Sequence, residues 1–376
     1  MEDTTLTRNG AAFAVLLLLP MMAMAQGTPS PSALPDTMTK VTVGGFVDAY
    51  YAFDFNQPAS FDRAFTTQPA RHDEFNVNLA FVEARLDAQR MRGRVAFQVG
   101  TSVQANYSNE PRNGVISGPE LSRFVQEAVV GTRLTDNLWI DGGIFLSHIG
   151  MEGFVSRDNP MYTRSLVADY SPYYESGVKA TWQATSTVSA LFTVVNGWQN
   201  ISETNSAKSV GVRVDYSPSS VTTLSYFNYL GDEARDSASH RQMRLYNGVG
   251  FRSALSPRFL VMGEVDYGAQ GRASGTGTST WHGGMLTGRY QATATAALVG
   301  RVESFADRDQ VIAVTSVAAG LSANGVSLGI DVTPQPRVLW RSEFRGLLGK
   351  DAVFPKRAGS VSNSDAFVVT SLGVTF

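Results

Sequence analysis

Phe367-Val368-Val369-Thr370-Ser371-Leu372-Gly373-Val374-Thr375-Phe376 ends the sequence, and its reading decides between two kinds of β-protein. Side chains along a strand alternate between two faces. Val368, Leu372, Val374 and Phe376 take one face, and Val369, Ser371, Gly373 and Thr375 take the other. A water-soluble sheet turns the apolar face inward. A transmembrane barrel turns it outward to lipid and keeps the small and polar face for its lumen. The choice rests on whether the preceding chain supplies an even series of similar strands, an export signal and no alternative core.

The same grammar runs back to Val41. Period-two segments lie near residues 41–55, 74–89, 92–102, 122–133, 137–147, 173–184, 187–197, 207–216, 221–230, 241–254, 258–268, 281–291, 293–305, 323–333, 336–348 and 365–376. Val210, Val212, Val214 and Tyr216 alternate with Ser209, Gly211, Arg213 and Asp215; Val326, Leu328, Ile330 and Val332 alternate with Ser327, Gly329 and Asp331. Segment 74–89 changes phase near Phe81-Val82, which predicts a bulge. Asn247 falls on an otherwise apolar face. Arg90-Met91-Arg92-Gly93, Thr135-Asp136-Asn137, Ser217-Pro218-Ser219, Ser256-Pro257 and Pro334-Gln335-Pro336 carry turn chemistry. Links between these turns are longer, about 10 to 25 residues. A soluble sandwich has no reason to sort its links in this way. The expected fold is therefore all-β: a transmembrane antiparallel up-and-down barrel of about 16 strands, with short periplasmic turns and long extracellular loops.

The N-terminus reads as an export signal. Arg8 precedes the apolar run Ala11 to Leu19, then Pro20, then Ala23-Met24-Ala25. That run is shorter than the roughly 20 residues of a spanning helix. Residues 1–25 are thus expected to be a secretory signal peptide, residues 26–40, rich in Pro, Ser and Thr, a flexible periplasmic lead-in, and residues 41–376 the barrel. The chain of 376 residues has no cysteine and a formal net charge of −2. Thiol catalysis, thiolate metal sites and disulfides are excluded, and a nucleic-acid partner is not expected without a basic excess.

Functional content lies on the face opposite the apolar one. Asp48, Glu83, Arg85, Glu127, Asp141, Lys179, Arg213, Asp215, Arg244, Arg252, Glu264, Asp266, Arg289, Arg301, Glu303, Asp331, Arg341, Glu343 and Arg345 are the expected lumenal charges, of both signs. So many charges in a dry core would be costly, and side chains fill a barrel interior only near about eight strands. A water-filled interior follows. The competing arrangement is a set of structural ion pairs lining a blocked barrel. The longest link, residues 148–172, is the third extracellular loop and carries Glu152, Arg157, Asp158, Arg164 and Asp169 with Phe154, Met161 and Tyr162. Folded inward, it would set Glu152, Asp158 and Asp169 against Arg213, Arg301, Arg341 and Arg345 across a narrowed passage. The competing pairs are Arg213 with Asp215 and Arg301 with Glu303. Aromatics near strand ends, Phe53, Phe55, Trp182, Trp198, Tyr216, Tyr229, Tyr267, Trp281, Tyr290, Trp340 and Phe376, are expected to form the interfacial girdles.

Enzymatic and metal chemistry find little support. His72, His148, His240 and His282 are scattered, without metal-site spacing, and are expected in solvated loops. Ser147 beside His148 is the nearest thing to a hydrolase element, and no catalytic residue, metal or cofactor is assigned. Gly271, Gly275 and Gly277 lack the Lys-Ser and helix start of a phosphate loop.

In order and spacing, several short motifs resemble the OmpL-like β-barrel porins of Gram-negative outer membranes. They are Gly143-Ile144-Phe145, Ile149-Gly150-Met151-Glu152, Asn159, Tyr162-Thr163-Arg164-Ser165, Gly177, Asn196-Gly197-Trp198, Asn205 with Lys208-Ser209, Gly231-Asp232-Glu233, Asp266-Tyr267-Gly268, Trp281, Arg301-Val302-Glu303 and the comb Arg341, Glu343, Arg345. The sequence departs from that family at Ile144 and Thr163, where lysine and serine are frequent. The resemblance implies an outer-membrane barrel passing small hydrophilic solutes or ions by passive diffusion. Phe376 resembles the terminal aromatic read by the outer-membrane assembly machinery. Lipid, the diffusing solutes and that machinery are the expected partners, with a homo-oligomer by analogy to porins of similar strand count. The alternative is a closed barrel acting through its loops as receptor, adhesin or structural protein.

Overall fold

Strand β1, Lys40–Asp54, is hydrogen-bonded along both edges, to β2 (Phe75–Asp87) on one side and to the C-terminal strand (Ser364–Thr375) on the other. That double pairing closes the sheet. Between them run β3 (Met91–Val99), β4 (Val125–Thr135), β5 (Leu138–Leu146), β6 (Tyr174–Gln183), β7 (Val188–Val195), β8 (Ser209–Ser219), β9 (Thr222–Asp232), β10 (Met243–Ser256), β11 (Phe259–Gly271), β12 (Thr278–Gln291), β13 (Ala296–Asp307), β14 (Leu321–Gln335) and β15 (Val338–Gly349). Each pairs with its sequence neighbours in a closed antiparallel barrel of 16 strands, so no strand edge is left bare. The computed structural model describes residues 39–376. The expected signal peptide, and all but the last two residues of the lead-in, lie outside the described residues. Lys40 already pairs with Asp87, one residue ahead of the expected boundary.

The barrel is inverted relative to a soluble core. On β14 Leu328 is 65% exposed while Ser327 beside it is fully buried. Outward valines, leucines and phenylalanines recur around the barrel, the belt a bilayer requires. Connections at one end are as short as residues 136–137 and 257–258; at the other they include 55–74, 100–124, 147–173 and 308–320. The link 272–277 breaks the expected length rule, because β11 and β12 run further than their sequence pattern suggests.

Two local corrections have backbone causes. The β2 bulge lies at Asn78 rather than at Phe81-Val82, where the register against β1 shifts between Asp48 and Ala49. Beyond it Leu79, Phe81, Glu83 and Arg85 share the inner face, and Asn78 donates to Asp48 at 3.0 Å. Strand β3 stops at Val99, not 102. Gly100 takes φ 138, where a side chain would strike the Asn78 carbonyl, and a short helix, Thr101–Asn106, follows. At the seam, Gly45 and Phe376 exchange backbone hydrogen bonds of 3.0 and 3.1 Å. A Cβ on Gly45 would overlap the Phe376 ring.

Candidate functional site

The third long loop, residues 147–173, turns into the barrel. Its neck is closed by Ser147 N donating to Tyr173 O at 3.0 Å. Glu175, on β6, accepts from Ser147 Oγ at 3.0 Å and meets His148 Nδ1 at 3.1 Å, while His148 Nε2 lies 2.8 Å from the Asn228 carbonyl on β9. Both ring nitrogens face acceptors. Burial lowers the His148 pKa, and the Glu175 charge and these hydrogen bonds raise it by more, so the net shift is upward. His148 is thus a buried anchor, as is His72, whose Nδ1 accepts from Asp54 N at 2.9 Å; neither sits in the solvated loop expected from sequence.

Glycines on the inner wall make room for this loop. A Cβ on Gly211 would overlap the His148 ring, one on Gly250 would overlap Met151, one on Gly283 would crowd Val167 and one on Gly329 would press on Met161. Four loop side chains therefore seat on four strands, β8, β10, β12 and β14, that offer backbone instead of side chain. At protein packing density even one added methyl group is felt.

Charge completes the seat. Thr163 donates its N–H (2.8 Å) and hydroxyl (2.6 Å) to Glu343, and its carbonyl accepts from Arg301 at 2.7 Å. Arg301 also lies 3.4 Å from both Glu152 and Glu303, and 3.7 Å from Glu343. Glu303 accepts from Leu166 N (2.7 Å) and from Arg345 Nε and Nη2 (2.9 and 2.8 Å). Arg341 is held by Asp331 at 2.8 Å and donates to the carbonyls of Ser156, Asn159 and Pro160 at 2.9, 3.2 and 2.5 Å. On other walls Met151 N donates to Glu264 at 2.6 Å, Ser156 Oγ to Asp48 at 2.6 Å, and Arg213 to the carbonyls of His148 and Gly150 at 3.0 and 2.9 Å. Asp266, beside Glu264 on β11, accepts from the Tyr246 hydroxyl. Buried Arg164 braces the loop from within through the Gly153 and Tyr162 carbonyls, both at 2.7 Å.

This geometry replaces the picture of arginines facing loop carboxylates across water. Arg301, Arg341 and Arg345 touch the loop or its acceptors directly and are sealed beneath it. Of the three loop carboxylates, only Glu152 meets one of the facing arginines, Arg301. Asp158 lies 3.6 Å from its neighbour Arg157 with its side chain 64% exposed, and Asp169 accepts from Thr67 at 2.6 Å and Tyr173 at 3.2 Å. Arg213 pairs with Asp215 at 3.0 Å, and Arg301 with Glu303 as given above.

Across the lumen, β2–β6 carry a second charged set. Glu83 takes Arg85 at 3.1 Å and Arg94 at 2.6 Å; Arg94 also meets Glu127; Arg92 reaches Asp141 at 2.6 Å; Lys179 lies 4.5 Å over the Phe145 ring. Arg157 of the loop donates to Thr375 at 3.1 Å and stacks over Phe46.

A family model described as "Putative beta-barrel porin-2, OmpL-like" matches residues 40–376. The chain belongs to the OmpL-like β-barrel porins. This porin is therefore an outer-membrane channel for passive diffusion. No curated protein matches its sequence. Solved structures similar to it include an anion-selective porin from Comamonas acidovorans, at 13% identity and TM-score 0.57 over 90% of this chain and 100% of that one. The outer-membrane channel DcaP of Acinetobacter baumannii matches at 10% and 0.59, over 90% and 98%. OmpT of Vibrio cholerae in its trimer form matches at 9% and 0.55, over 90% and 99%. At such identities the likeness is one of fold.

Among the porin's girdle aromatics, Trp182, Tyr216, Tyr267, Tyr290, Trp340 and Phe376 are exposed on the outer face. Trp281 and Tyr229 are not: they are buried inside, and half-buried Trp198 packs with them. Trp198 meets Tyr229 and Tyr246 edge-on at 5.0 Å and Trp281 at 6.4 Å, with Arg244 5.0 Å over its ring. Parity is the reason: Trp281 shares the inner face of β12 with Met285 and Arg289, over Gly268 of β11. Among the seat residues, Ser156 carries no charge and no motif, and Asn159 and Thr163 stand out in the sequence only as members of the family motifs, with nothing local to mark their contacts.

Proposed function

We propose that the third loop is the constriction of this porin, and that solutes pass between it and the β2–β6 wall. Glu83, Arg85, Glu127, Asp141, Lys179, Arg92 and Arg94 line the wall side of that passage, and Arg157 and Asp158 the loop side. Asp48, Arg213, Asp215, Glu264, Asp266, Arg301, Glu303, Asp331, Arg341, Glu343 and Arg345 act chiefly as the loop's seat, with Glu152, Arg164 and Asp169 as its own braces. The observation that carries this reading is Thr163, whose N–H, carbonyl and hydroxyl are all tied to Arg301 or Glu343 on the far wall.

Charges of both signs in a narrowed low-dielectric passage favour small hydrophilic solutes and ions over apolar ones. The reading includes no catalytic step and no cofactor. Export by residues 1–25, a lipid-facing girdle of Trp182, Tyr216, Tyr267, Trp340 and Phe376, insertion by the assembly machinery and a homo-oligomer belong to the same proposal. The refolded protein in a planar bilayer should give steady conductance steps, and shortening residues 153–168 should enlarge them. A shortened barrel that inserts normally and conducts as the parent does would place the constriction elsewhere.

A further inference from the structure

Above the seated loop, on the side of the long connections, lies a cavity of about 330 Å³. That is the small end of the range for ligand sites, about 300–1,000 Å³. Its walls include Tyr170, Trp198, Gln199, Asn200, Glu233 and Arg244. The aromatic rings are fixed: Tyr170 stacks on Phe305 at 5.1 Å, and Trp198 is gripped by Tyr229, Tyr246 and Trp281. The polar groups are fixed as well. Gln199 accepts from Tyr173 N at 2.7 Å and donates to Asn106 O at 3.3 Å, and Arg244 stands 3.5 Å from Glu233, which also accepts from the Tyr229 hydroxyl at 2.6 Å.

We infer that this cavity is a binding subsite for a neutral, hydroxyl-rich ring, a mono- or disaccharide, met before the constriction. The inference rests on the diffusion reading above and names a solute class for it. Sugars present C–H faces that lie on aromatic rings and a rim of hydroxyls that both donate and accept. The cavity offers rings beside amides, a guanidinium and two carboxyl groups, Glu233 and Asp169. Arg244 is offset by Glu233, and Asp169 adds a second carboxyl to the wall, so an anion gains nothing there, and the fixed rings and amides rather than the charges select a hydroxyl-rich ring. An apolar solute would strand buried polar groups, which is costly. The site is open to the mouth and its contacts are few, as conduction requires: solute must leave as readily as it arrives.

The test is ion current through the full barrel in potassium chloride, with glucose or maltose added on the long-loop side. Maltose at millimolar concentration should interrupt the current. Trp198→Leu should weaken that block about tenfold, and a double variant of Asn200→Ala with Asn109→Ala, a second asparagine of the cavity wall, which spares the packed rings, should weaken it in the same direction. Ser274→Ala, in the 272–277 link, should leave it alone. A barrel that conducts but ignores both sugars refutes this inference and spares the diffusion reading; a folded barrel that never conducts refutes the diffusion reading. In that case tryptophan fluorescence still decides: maltose should change the emission of the parent and not of Trp198→Leu. Block by glutamate or benzoate equal to that by maltose refutes the assigned class. A block unchanged in the double variant places the sugar elsewhere.

Discussion

Arg301→Ala removes the guanidinium on which the loop and far wall converge. Arg301 makes hydrogen bonds to the Thr163 carbonyl, the Thr163 hydroxyl and Ser327, and ion pairs with Glu152, Glu303 and Glu343, all in a region closed to solvent. Arg345 still serves Glu303, but Glu152 and Glu343 are left buried without a cation. Removing one partner of a buried pair costs about 3–5 kcal/mol, roughly a hundredfold to a thousandfold or more in the docking equilibrium. The barrel ladders do not pass through this side chain, so heat-dependent gel mobility should be kept. The seated loop should come free. Single-channel steps should grow, and a protease added on the long-loop side should cut within 153–168. Arg301→Lys should behave between parent and alanine variant. A variant that inserts, conducts at the parental level and resists cleavage would refute the claim that this cluster seats the loop.

Gly211→Val should have a related effect from the opposite wall, because its side chain would occupy the space of the His148 ring; larger steps with an intact barrel are expected, and parental conductance would count against the glycine seat. Burial lifts the Asp169 carboxyl from its ordinary 3.8 to about 6, against the pull of Arg345, Thr67 and Arg164. The folded protein thus favours the protonated acid: this contribution to stability is complete below pH 3.8 and lost as pH rises through about 6. The ionised form appears in the same window, so cation preference should rise across it, as read by reversal potential, and Asp169→Asn should flatten the rise. A flat profile in the parent would refute the assignment. Deleting Phe376 removes its backbone pairing with Gly45 and the exposed ring at the seam, and should leave the protein in the periplasm or degraded, as read by membrane fractionation; normal insertion would refute a role in assembly.

The barrel was legible in the sequence because lipid outside and water inside both write the same period of two. Val326 to Val332 set against Ser327 to Asp331 needed no tertiary information. Inward parity likewise placed Glu303, Arg341, Glu343 and Arg345 on the right face. Their partners could not be read. Whether Arg301 faces water or Thr163 depends on the path of a loop with no periodicity, and His148 has no local mark of its contact with Glu175. The inward place of Trp281 is legible by parity, because its spacing from Met285 and Arg289 is that of one strand face, and parity outranks nearness to a strand end. Trp198 lies past the end of β7, in a loop, where parity has no meaning.

The seat of the third loop has a consequence for the order of events in assembly. Glu343 lies 180 residues downstream of Thr163, and Arg341 lies 185 residues downstream of Ser156. The segment between β5 and β6 can dock only where the receiving faces of β13–β15 are in place. The segment must wait as a solvated tether until β13–β15 arrive, and closure of so long a span is entropically slow. The narrowing of the channel therefore depends on contacts between distant parts of the chain, and a barrel closed with this segment undocked would be a leak rather than a pore.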